Sequence, residues 1–327
     1  MSVADRFKPP RFLRNGHAQS LLASLKFRAP WIRRRAAAML EAEQYVELDA
    51  GDGVRLTGLY SARQDDAPLA ILIHGWEGSA QSQYMLSTSS LLYQNGYRVF
   101  RFQLRDHGDS HHLNRELFHS CRLDEAVGGV ADIAQRFGHD QPVMLGGYSL
   151  GGNFSLRIGV RAPQAGINLH AIAAICPVAN PAHTLRAMEE ALPVYERYFM
   201  RKWRRSLRRK RDLFPNDYSD PKLFSISDMR ALTAHLVEHY GYMKVEDYFD
   251  GYRITGDRLA TLDVPSLVIA AADDPIIPIK DFDDLATPDC LTLMRTQHGG
   301  HCGYIDTWRE PTFADRTIAQ WFDQHRT

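Results

Sequence analysis

The chain has 327 residues, with 39 basic (Lys and Arg) and 39 acidic (Asp and Glu) side chains. A hydrophobic content of 44% and a charged content of 24% are ordinary for a globular protein and exclude a disordered, collagen-like or coiled-coil chain. Overall neutrality gives no reason to expect a nucleic-acid partner. The length suggests about two domains, although a single α/β domain can be this long.

The cysteine pattern and the apolar runs indicate a compartment. The four cysteines are far apart and form no CxxC pair, which disfavours a zinc knuckle and fits a reducing environment. The first residues lack the apolar core of a signal peptide, and the longest apolar runs are shorter than the roughly 18 residues of a membrane-spanning helix. We therefore expect a cytoplasmic protein.

The first predicted strands form a hairpin. Two apolar-alternating segments, residues 45–49 and 54–60, flank a Gly-Asp-Gly turn. This pattern predicts two antiparallel strands at the edge of a sheet.

Strands then alternate with helices along the chain. Five apolar runs are predicted as buried strands: 69–73, 97–102, 143–145, 171–175 and 266–270. Four helical segments are predicted between and after them: 81–94, 124–137, 149–160 and 280–286. Near-continuous apolar strands separated by helices predict an α/β fold with a mostly parallel central sheet, covered by helices on both faces.

One long segment interrupts this alternation. Residues 178–252 contain no convincing strand and are rich in aromatic and helix-forming residues. Because the segment lies between two predicted strands, we interpret it as an insertion. The predicted organisation is an N-terminal arm (1–40), a core (41–177 and 256–327) and a helical cap (178–255).

The segment Gly147-Tyr148-Ser149-Leu150-Gly151 matches the G-x-S-x-G nucleophile elbow. It follows a predicted strand and precedes a predicted helix, which is the context that this motif requires. The sharp turn would hold Ser149 in a strained backbone and project its hydroxyl from the top of the sheet. Ser149 is therefore the candidate nucleophile.

A serine nucleophile needs a base, and the base needs an acid that orients it. Asp273 and Asp274 both follow the strand near residues 266–271, and the D-x-x-x-P spacing to Pro278 favours Asp274. The candidate base is His301, in a glycine-rich loop after a predicted strand at 290–294; His298 is the alternative. These residues follow the order Ser, acid, His.

Acyl transfer also needs N–H donors for the developing oxyanion. The backbone N–H of Leu150, directly after the nucleophile, is one candidate. The second is the backbone N–H of Trp76, in the loop that follows the strand at 69–73.

These motifs together resemble the α/β-hydrolase superfamily, and more narrowly its YheT-like branch. The narrower resemblance rests on residues 15–20 (Asn-Gly-His-Ala-Gln-Ser), 149–153 (Ser-Leu-Gly-Gly-Asn), 298–303 (His-Gly-Gly-His-Cys-Gly) and 240–252. It covers essentially the whole chain. The resemblance implies a carboxylesterase-type hydrolase that acts on small or medium acyl esters without a cofactor.

Residues 105–112, Arg-Asp-His-Gly-Asp-Ser-His-His, could suggest a metal site. The H-x-H-x-D-H order of metal-dependent hydrolases is missing, so we expect no metal here. α/β-hydrolases often carry R-G-H-G-x-S in the corresponding loop. Here Asp106 replaces the usual glycine, and it would either alter the charge of the site or point outward.

A basic helix is predicted from Pro193 to Arg211. Its apolar residues recur at helical spacing, while residues 201–211 hold eight basic and no acidic side chains. Three interpretations remain: a solvated face of a lid helix, contact with anionic lipid or an anionic substrate, and nucleic-acid binding. No recognition motif supports the third.

The sequence thus predicts a carboxylic ester hydrolase with a small-molecule ester substrate and an acyl-enzyme on Ser149. An acyltransferase that uses the same intermediate is one alternative. A non-catalytic binding protein on a hydrolase scaffold is another, and the presence of Ser149, Asp274 and His301 argues against it.

Overall fold

A computed structural model describes residues 7–64 and 66–326, so the first six residues of the predicted arm lie outside the described ranges. An eight-stranded sheet with the order β1-β2-β4-β3-β5-β6-β7-β8 forms its centre. The strands are β1 (Glu43–Asp49), β2 (Arg55–Ser61), β3 (Leu69–Ile73), β4 (Arg98–Gln103), β5 (Val143–Tyr148), β6 (Leu169–Ile175), β7 (Ser266–Ala271) and β8 (Leu291–Thr296). Strand β2 pairs antiparallel with β1 and β4, and all other neighbours are parallel.

Burial explains the two kinds of strand. The central strands β3, β4, β5 and β7 are buried at every position, as expected for parallel strands covered on both faces. In the edge strand β1, buried Val46 and Leu48 alternate with more exposed neighbours. The structure therefore confirms both the parallel sheet and the antiparallel edge hairpin.

Four long helices cover the sheet. They are α4 (Gln83–Gln94), α5 (Leu123–Phe137), α6 (Leu150–Arg161) and α12 (Phe313–Gln324). One apolar cluster lies between the sheet, α4 and α12, and a larger one joins the sheet to α5, α6 and the helices that follow β6. No helix in the described ranges is both long enough and apolar enough to cross a membrane.

The predicted helix at 280–286 is wrong in type. The segment is a 3-10 helix, Ile279–Asp284, that ends early. The Asp284 carbonyl accepts the Gly256 N–H at 2.6 Å, and Leu285 forms an isolated bridge with Gly256. This long-range pairing draws the chain out of the helix.

The N-terminal segment consists of short helices that pack on the outside of α4. They are a 3-10 turn (Arg11–Leu13), α1 (Gly16–Ser24), a second 3-10 turn (Lys26–Arg28), α2 (Ala29–Arg35) and α3 (Ala37–Glu41). Ile32 and Met39 are buried against Leu86 of α4. This apolar contact fixes the segment to the core.

Five helices lie between β6 and β7. They are α7 (Pro181–Glu190), α8 (Pro193–Leu213), α9 (Lys222–Ser225), α10 (Met229–Val237) and α11 (Val245–Asp250), with a 3-10 turn at Glu238–Tyr240. The longest, α8, begins at a proline, as is common for the first position of a helix. The division of the chain into arm, core and cap stays a prediction, and we call residues 178–255 the helical insert.

Candidate active site

Ser149 lies at a strained turn between β5 and α6. Its backbone has φ 54° and ψ −118°, a conformation that costs energy for a residue with a side chain. The turn is so tight that a Cβ atom on Gly147 would lie 2.2 Å from the Gly151 carbonyl oxygen. The Ser149 N–H donates to the Ile175 carbonyl at 2.8 Å, which ties the turn to the end of β6.

Ser149, His301 and Asp274 form one chain of hydrogen bonds. The Ser149 hydroxyl lies 2.9 Å from Nε2 of His301, and Nδ1 of His301 lies 2.9 Å from Oδ2 of Asp274. The Asp274 side chain is only 2% exposed, and its Oδ1 accepts the N–H groups of Ile276 and Ile277. These bonds hold a carboxylate, which orients the imidazole so that Nε2 can accept the hydroxyl proton.

The two alternative residues have other contacts. Asp273 accepts the Gly300 N–H at 2.8 Å, and its second oxygen lies 3.5 Å from Nδ1 of His298. The hydrogen bond from Gly300 shows that Asp273 supports the loop that carries His301. The structure brings Asp274 and His301 to Ser149, and places neither Asp273 nor His298 in that chain.

The two predicted oxyanion donors, Trp76 and Leu150, both line the cavity beside the nucleophile. Within residues 7–64 and 66–326, the backbone N–H groups of Trp76 and Leu150 donate no hydrogen bond. Leu150 is the first residue of α6, where helix N–H groups have no partner within the helix. Gly75, just before Trp76, lies against Ser149: a Cβ on it would be 3.3 Å from the Ser149 Cβ.

Two buried histidines hold the loop around Trp76. Nδ1 of His74 donates to the Gly75 carbonyl at 2.8 Å, and Nε2 of His107 accepts the Glu77 N–H at 3.1 Å. Burial lowers the pKa of His107 to about 4 and lowers the pKa of His74 well below its usual value, so both rings are neutral at pH 7. Sequence reasoning missed this role, although His74 directly follows the buried strand β3 and His107 lies in the loop after the buried strand β4.

The arm motif supports the loop of His301 from outside. Oγ of Ser20 accepts the His301 N–H at 2.7 Å and donates to the Gly16 carbonyl at 2.6 Å. The Gln19 side chain bonds to both the N–H and the carbonyl of Ile305. The motif at residues 15–20 therefore positions the histidine loop, a role that its sequence pattern alone did not indicate.

Asp106 takes neither of the two expected orientations. Its Oδ1 lies 2.6 Å from Nζ of Lys210, and both side chains are almost fully buried. Lys210 also donates to the Asn114 carbonyl at 2.6 Å. The interpretation of this helix as a solvated basic face therefore does not hold for Lys210, because its side chain turns inward to pair with Asp106.

Metal-ligating side chains converge at two places in the described residues, and neither involves residues 105–112. One group is Cys176, His301 and Cys302, and the other is Asp220, His235 and His239. All four cysteines are free thiols. Burial raises the pKa of Cys302 well above its usual value, so this thiol is protonated at neutral pH.

A cavity of about 1270 Å³ opens beside Ser149 and His301. Aromatic and aliphatic side chains from the core and the helical insert form much of its wall: Phe118, Val178, Leu185, Met188, Phe199, Trp203, Met229, Tyr240, Tyr248, Phe249 and Tyr252. Trp76 stacks on Phe199 at a centroid distance of 5.4 Å and meets Trp203 edge-on at 5.2 Å. The helical insert thus contacts the loop that carries a candidate oxyanion donor.

Comparisons with known proteins agree with this fold. A family model described as "Alpha/beta hydrolase family" matches residues 70–314. Human phospholipase ABHD3 is 22% identical over 97% of this chain and 78% of its own length, and a putative esterase of Synechocystis, slr0264, is 26% identical over 92% and 87%. The Pyrococcus furiosus esterase Pf2001 superposes with a TM-score of 0.59 at 15% identity, covering 87% of this chain and 91% of that one, and so shares the fold. The chain belongs to the α/β-hydrolase family.

Proposed function

We propose that this protein is a serine hydrolase that cleaves carboxylic esters of small to medium acyl chains through an acyl-enzyme on Ser149. The observation that carries the proposal is the chain of 2.9 Å contacts from Ser149 through His301 to Asp274, at the wall of a largely apolar cavity. Membership of a hydrolase family and similarity to proteins named esterase and phospholipase support ester hydrolysis.

In the first half-reaction, Oγ of Ser149 attacks the ester carbonyl while Nε2 of His301 takes its proton. The carbonyl oxygen becomes negative and accepts hydrogen bonds from the N–H groups of Trp76 and Leu150. The intermediate then collapses: the C–O bond to the alcohol breaks, and His301 returns the proton to the departing oxygen. Asp274 stays ionised and stabilises the imidazolium that forms in between.

In the second half-reaction, water takes the place of the alcohol. His301 removes one proton from the water as its oxygen attacks the acyl carbon. Collapse of this second intermediate breaks the bond to Ser149, returns the proton to Oγ and releases the carboxylic acid. No cofactor is needed to balance either step.

The cavity supports a preference for apolar acyl groups. Its volume of about 1270 Å³ exceeds the roughly 300–1,000 Å³ that is usual for small-molecule sites. Tyr248, Phe249 and Tyr252 come from one end of the helical insert and contact one another there. We expect these rings to surround the acyl chain, so a chain-length series of chromogenic esters should show an optimum.

Labelling with a fluorophosphonate probe tests the nucleophile. Wild type should be labelled and should hydrolyse short-chain p-nitrophenyl esters, whereas Ser149→Ala should lose labelling and about 10⁴-fold or more of kcat. Ser225→Ala, at an exposed position of α9, is the matched control and should behave as wild type. Labelling that survives Ser149→Ala would refute the assignment.

Two further outcomes would redirect the proposal. Faster ester formation than hydrolysis in the presence of an added alcohol would identify an acyltransferase. A folded protein without turnover across the ester panel would identify a binding protein.

A further inference from the structure

The charges on the cavity wall all have one sign. Its charged lining residues are Lys26, Arg201, Lys202 and Arg205, and none of the lining residues, all of which are described, is acidic. Outside residues 1–40 and 201–211 the chain has 22 basic and 38 acidic residues. The excess of positive charge on the cavity wall therefore does not reflect the charge of the rest of the chain. The positive charge is concentrated where a substrate would enter.

Three of these cations have no acidic partner among residues 7–64 and 66–326. Arg201 and Arg205 lie four residues apart on α8 and so share one face, and Lys26 lies just beyond the end of α1. In the described ranges none of the three forms an ion pair or a hydrogen bond, and all three are exposed. Other cations of the same helix are paired: Arg209 with Asp109 and Arg211 with Asp212.

Lys202 differs because it is already held in place. Its Nζ donates to the Glu77 carbonyl at 2.5 Å and lies 5.0 Å from the centre of the Tyr198 ring. Neither contact neutralises the ammonium, although it lies near enough to the Glu77 side chain to lower the pKa of that carboxyl against the effect of burial. Lys202 therefore adds a fixed positive charge to the same wall.

The N-terminus of α4 adds a second, independent feature. Residues 81–84 line the cavity, the helix has no side-chain cap at Ser82, and its first turn contains no acidic residue. Because free N–H groups and the helix dipole favour anions, this end of α4 complements the cations.

We propose that Lys26, Arg201, Arg205 and the N-terminus of α4 form a subsite for a phosphate group on the alcohol portion of the ester. The preferred substrate is then an acyl ester of a phosphate-bearing alcohol. Arginine pairs bind phosphate oxygens with directed hydrogen bonds, which suits a compact, doubly charged group better than a neutral alcohol. This inference rests on the proposed ester hydrolysis and specifies its substrate class.

Two arguments place the phosphate on the alcohol rather than on the acyl chain. The aromatic part of the cavity would exclude a charged group, since burial of an unpaired anion is costly. The alcohol must also leave before water can attack the acyl-enzyme, so it should lie on the open side. Lys26, Arg201 and Arg205 are the exposed charged residues of the wall.

The test compares two soluble esters with the same acyl chain, 1-butyryl-glycerol and 1-butyryl-glycerol 3-phosphate. Wild type should have a kcat/KM at least about 10-fold higher for the phosphate ester at low ionic strength. The double variant Arg201→Glu/Arg205→Glu should lose this preference through a raised KM, with turnover of the neutral ester within about 2-fold of wild type. Added salt should reduce the preference of wild type, because the cations are exposed.

Arg197→Glu/Arg208→Glu is the matched control. These two arginines lie on the same helix and are exposed, but they do not line the cavity. The control variant carries the same change in net charge and should keep most of the phosphate preference. An equal loss in both double variants would overturn the subsite, because it would indicate a general effect of charge.

Two other experiments distinguish a phosphate subsite from a lipid-binding surface and from a failure of the proposed ester hydrolysis. If wild type prefers the phosphate ester only when anionic phospholipid vesicles are added, the cations contact a lipid surface and the subsite is wrong. Calorimetric titration of Ser149→Ala with 1-butyryl-glycerol 3-phosphate measures binding without turnover. Binding that weakens about 10-fold or more with Arg201→Glu/Arg205→Glu supports the subsite even if ester hydrolysis fails; unchanged or undetectable binding overturns it.

Discussion

At the scale of single residues, the strained turns of the site are held in place by neighbouring groups that accept hydrogen bonds from their backbone N–H groups. Ser149 has a positive φ, and its N–H is satisfied by Ile175 at the end of the adjacent strand. Asp273 and Asp274 are consecutive, yet their side chains serve different backbone groups: the first accepts from Gly300, the second from Ile276 and Ile277. Only the second also reaches the His301 ring.

This difference predicts unequal effects of two matched substitutions. Asp274→Asn should reduce kcat about 10⁴-fold, because the amide no longer stabilises the correct tautomer and the imidazolium. Asp273→Asn should retain activity within about 10-fold, because an amide oxygen can still accept the Gly300 N–H. Steady-state kinetics on a chromogenic ester measure both, and a larger loss in Asp273→Asn would contradict the assignment.

We predict that Ser20 positions the candidate base, His301, without contacting the reacting atoms of the substrate. Ser20→Ala removes the acceptor of the His301 N–H, so we expect kcat to fall about 10-fold with little change in KM. Ser20→Thr keeps the hydroxyl and should restore kcat. Kinetics of the three proteins test this, and an alanine variant with unchanged kcat would show that the loop holds itself.

At the scale of elements, a buried ion pair joins the helical insert to the loop after β4. Lys210, near the end of α8, bonds to Asp106 and to the Asn114 carbonyl. Asp106 itself has φ 58°, where glycine would be unstrained. The aspartate therefore tolerates a strained backbone and provides the partner for a lysine that would otherwise be unpaired in the interior.

The pair predicts a non-additive loss of stability. Lys210→Met leaves the buried Asp106 carboxylate without its paired cation, although the Phe118 N–H still donates to it, and should cost about 3–5 kcal/mol of unfolding free energy. The double variant Asp106→Asn/Lys210→Met removes both charges and should recover most of this loss. Urea unfolding of both proteins measures the coupling, and a double variant as unstable as the single one would show that the ion pair is not the cause.

At the scale of the whole molecule, charge and burial are unevenly distributed. The neutral total conceals a basic arm, a basic segment of α8 and an acidic remainder. The predicted contact of residues 193–211 with anionic lipid stays a prediction. The exposed cations of that helix without a partner in the described ranges are Arg197, Arg201, Arg205 and Arg208. In contrast, four histidines are buried or half-buried in the loops that follow β3 and β4: His74, His107, His111 and His119.

These histidines predict a pH dependence of stability. Burial lowers the pKa of His111 to about 3, against 6.5 in the unfolded chain, so below pH 6.5 only the unfolded state binds the proton. Stability from this group is full above pH 6.5 and is lost on acidification, by about 2 kcal/mol at pH 5. His107 and His119 act in the same direction.

Glu77 acts in the opposite direction, because burial raises its pKa to about 7. The test is therefore a difference between two proteins. Unfolding free energies of wild type and His111→Gln at pH 7.5 and pH 5 should converge by about 2 kcal/mol on acidification. Parallel pH profiles for the two proteins would contradict the prediction.

The sequence by itself determined the parallel sheet, its antiparallel edge and the elbow at Ser149, because these depend on local apolar periodicity and on glycines beside the turn. It also determined the chain order of nucleophile, acid and base. Only the tertiary structure decided which aspartate meets His301, that Lys210 turns inward to Asp106, and that residues 15–20 hold the histidine loop. Each of these depends on contacts between segments distant in sequence, and local pattern carries no information about such contacts. The same reason applies to the cavity wall, because Lys26 and Arg201 are far apart in the sequence and line the same cavity only after folding.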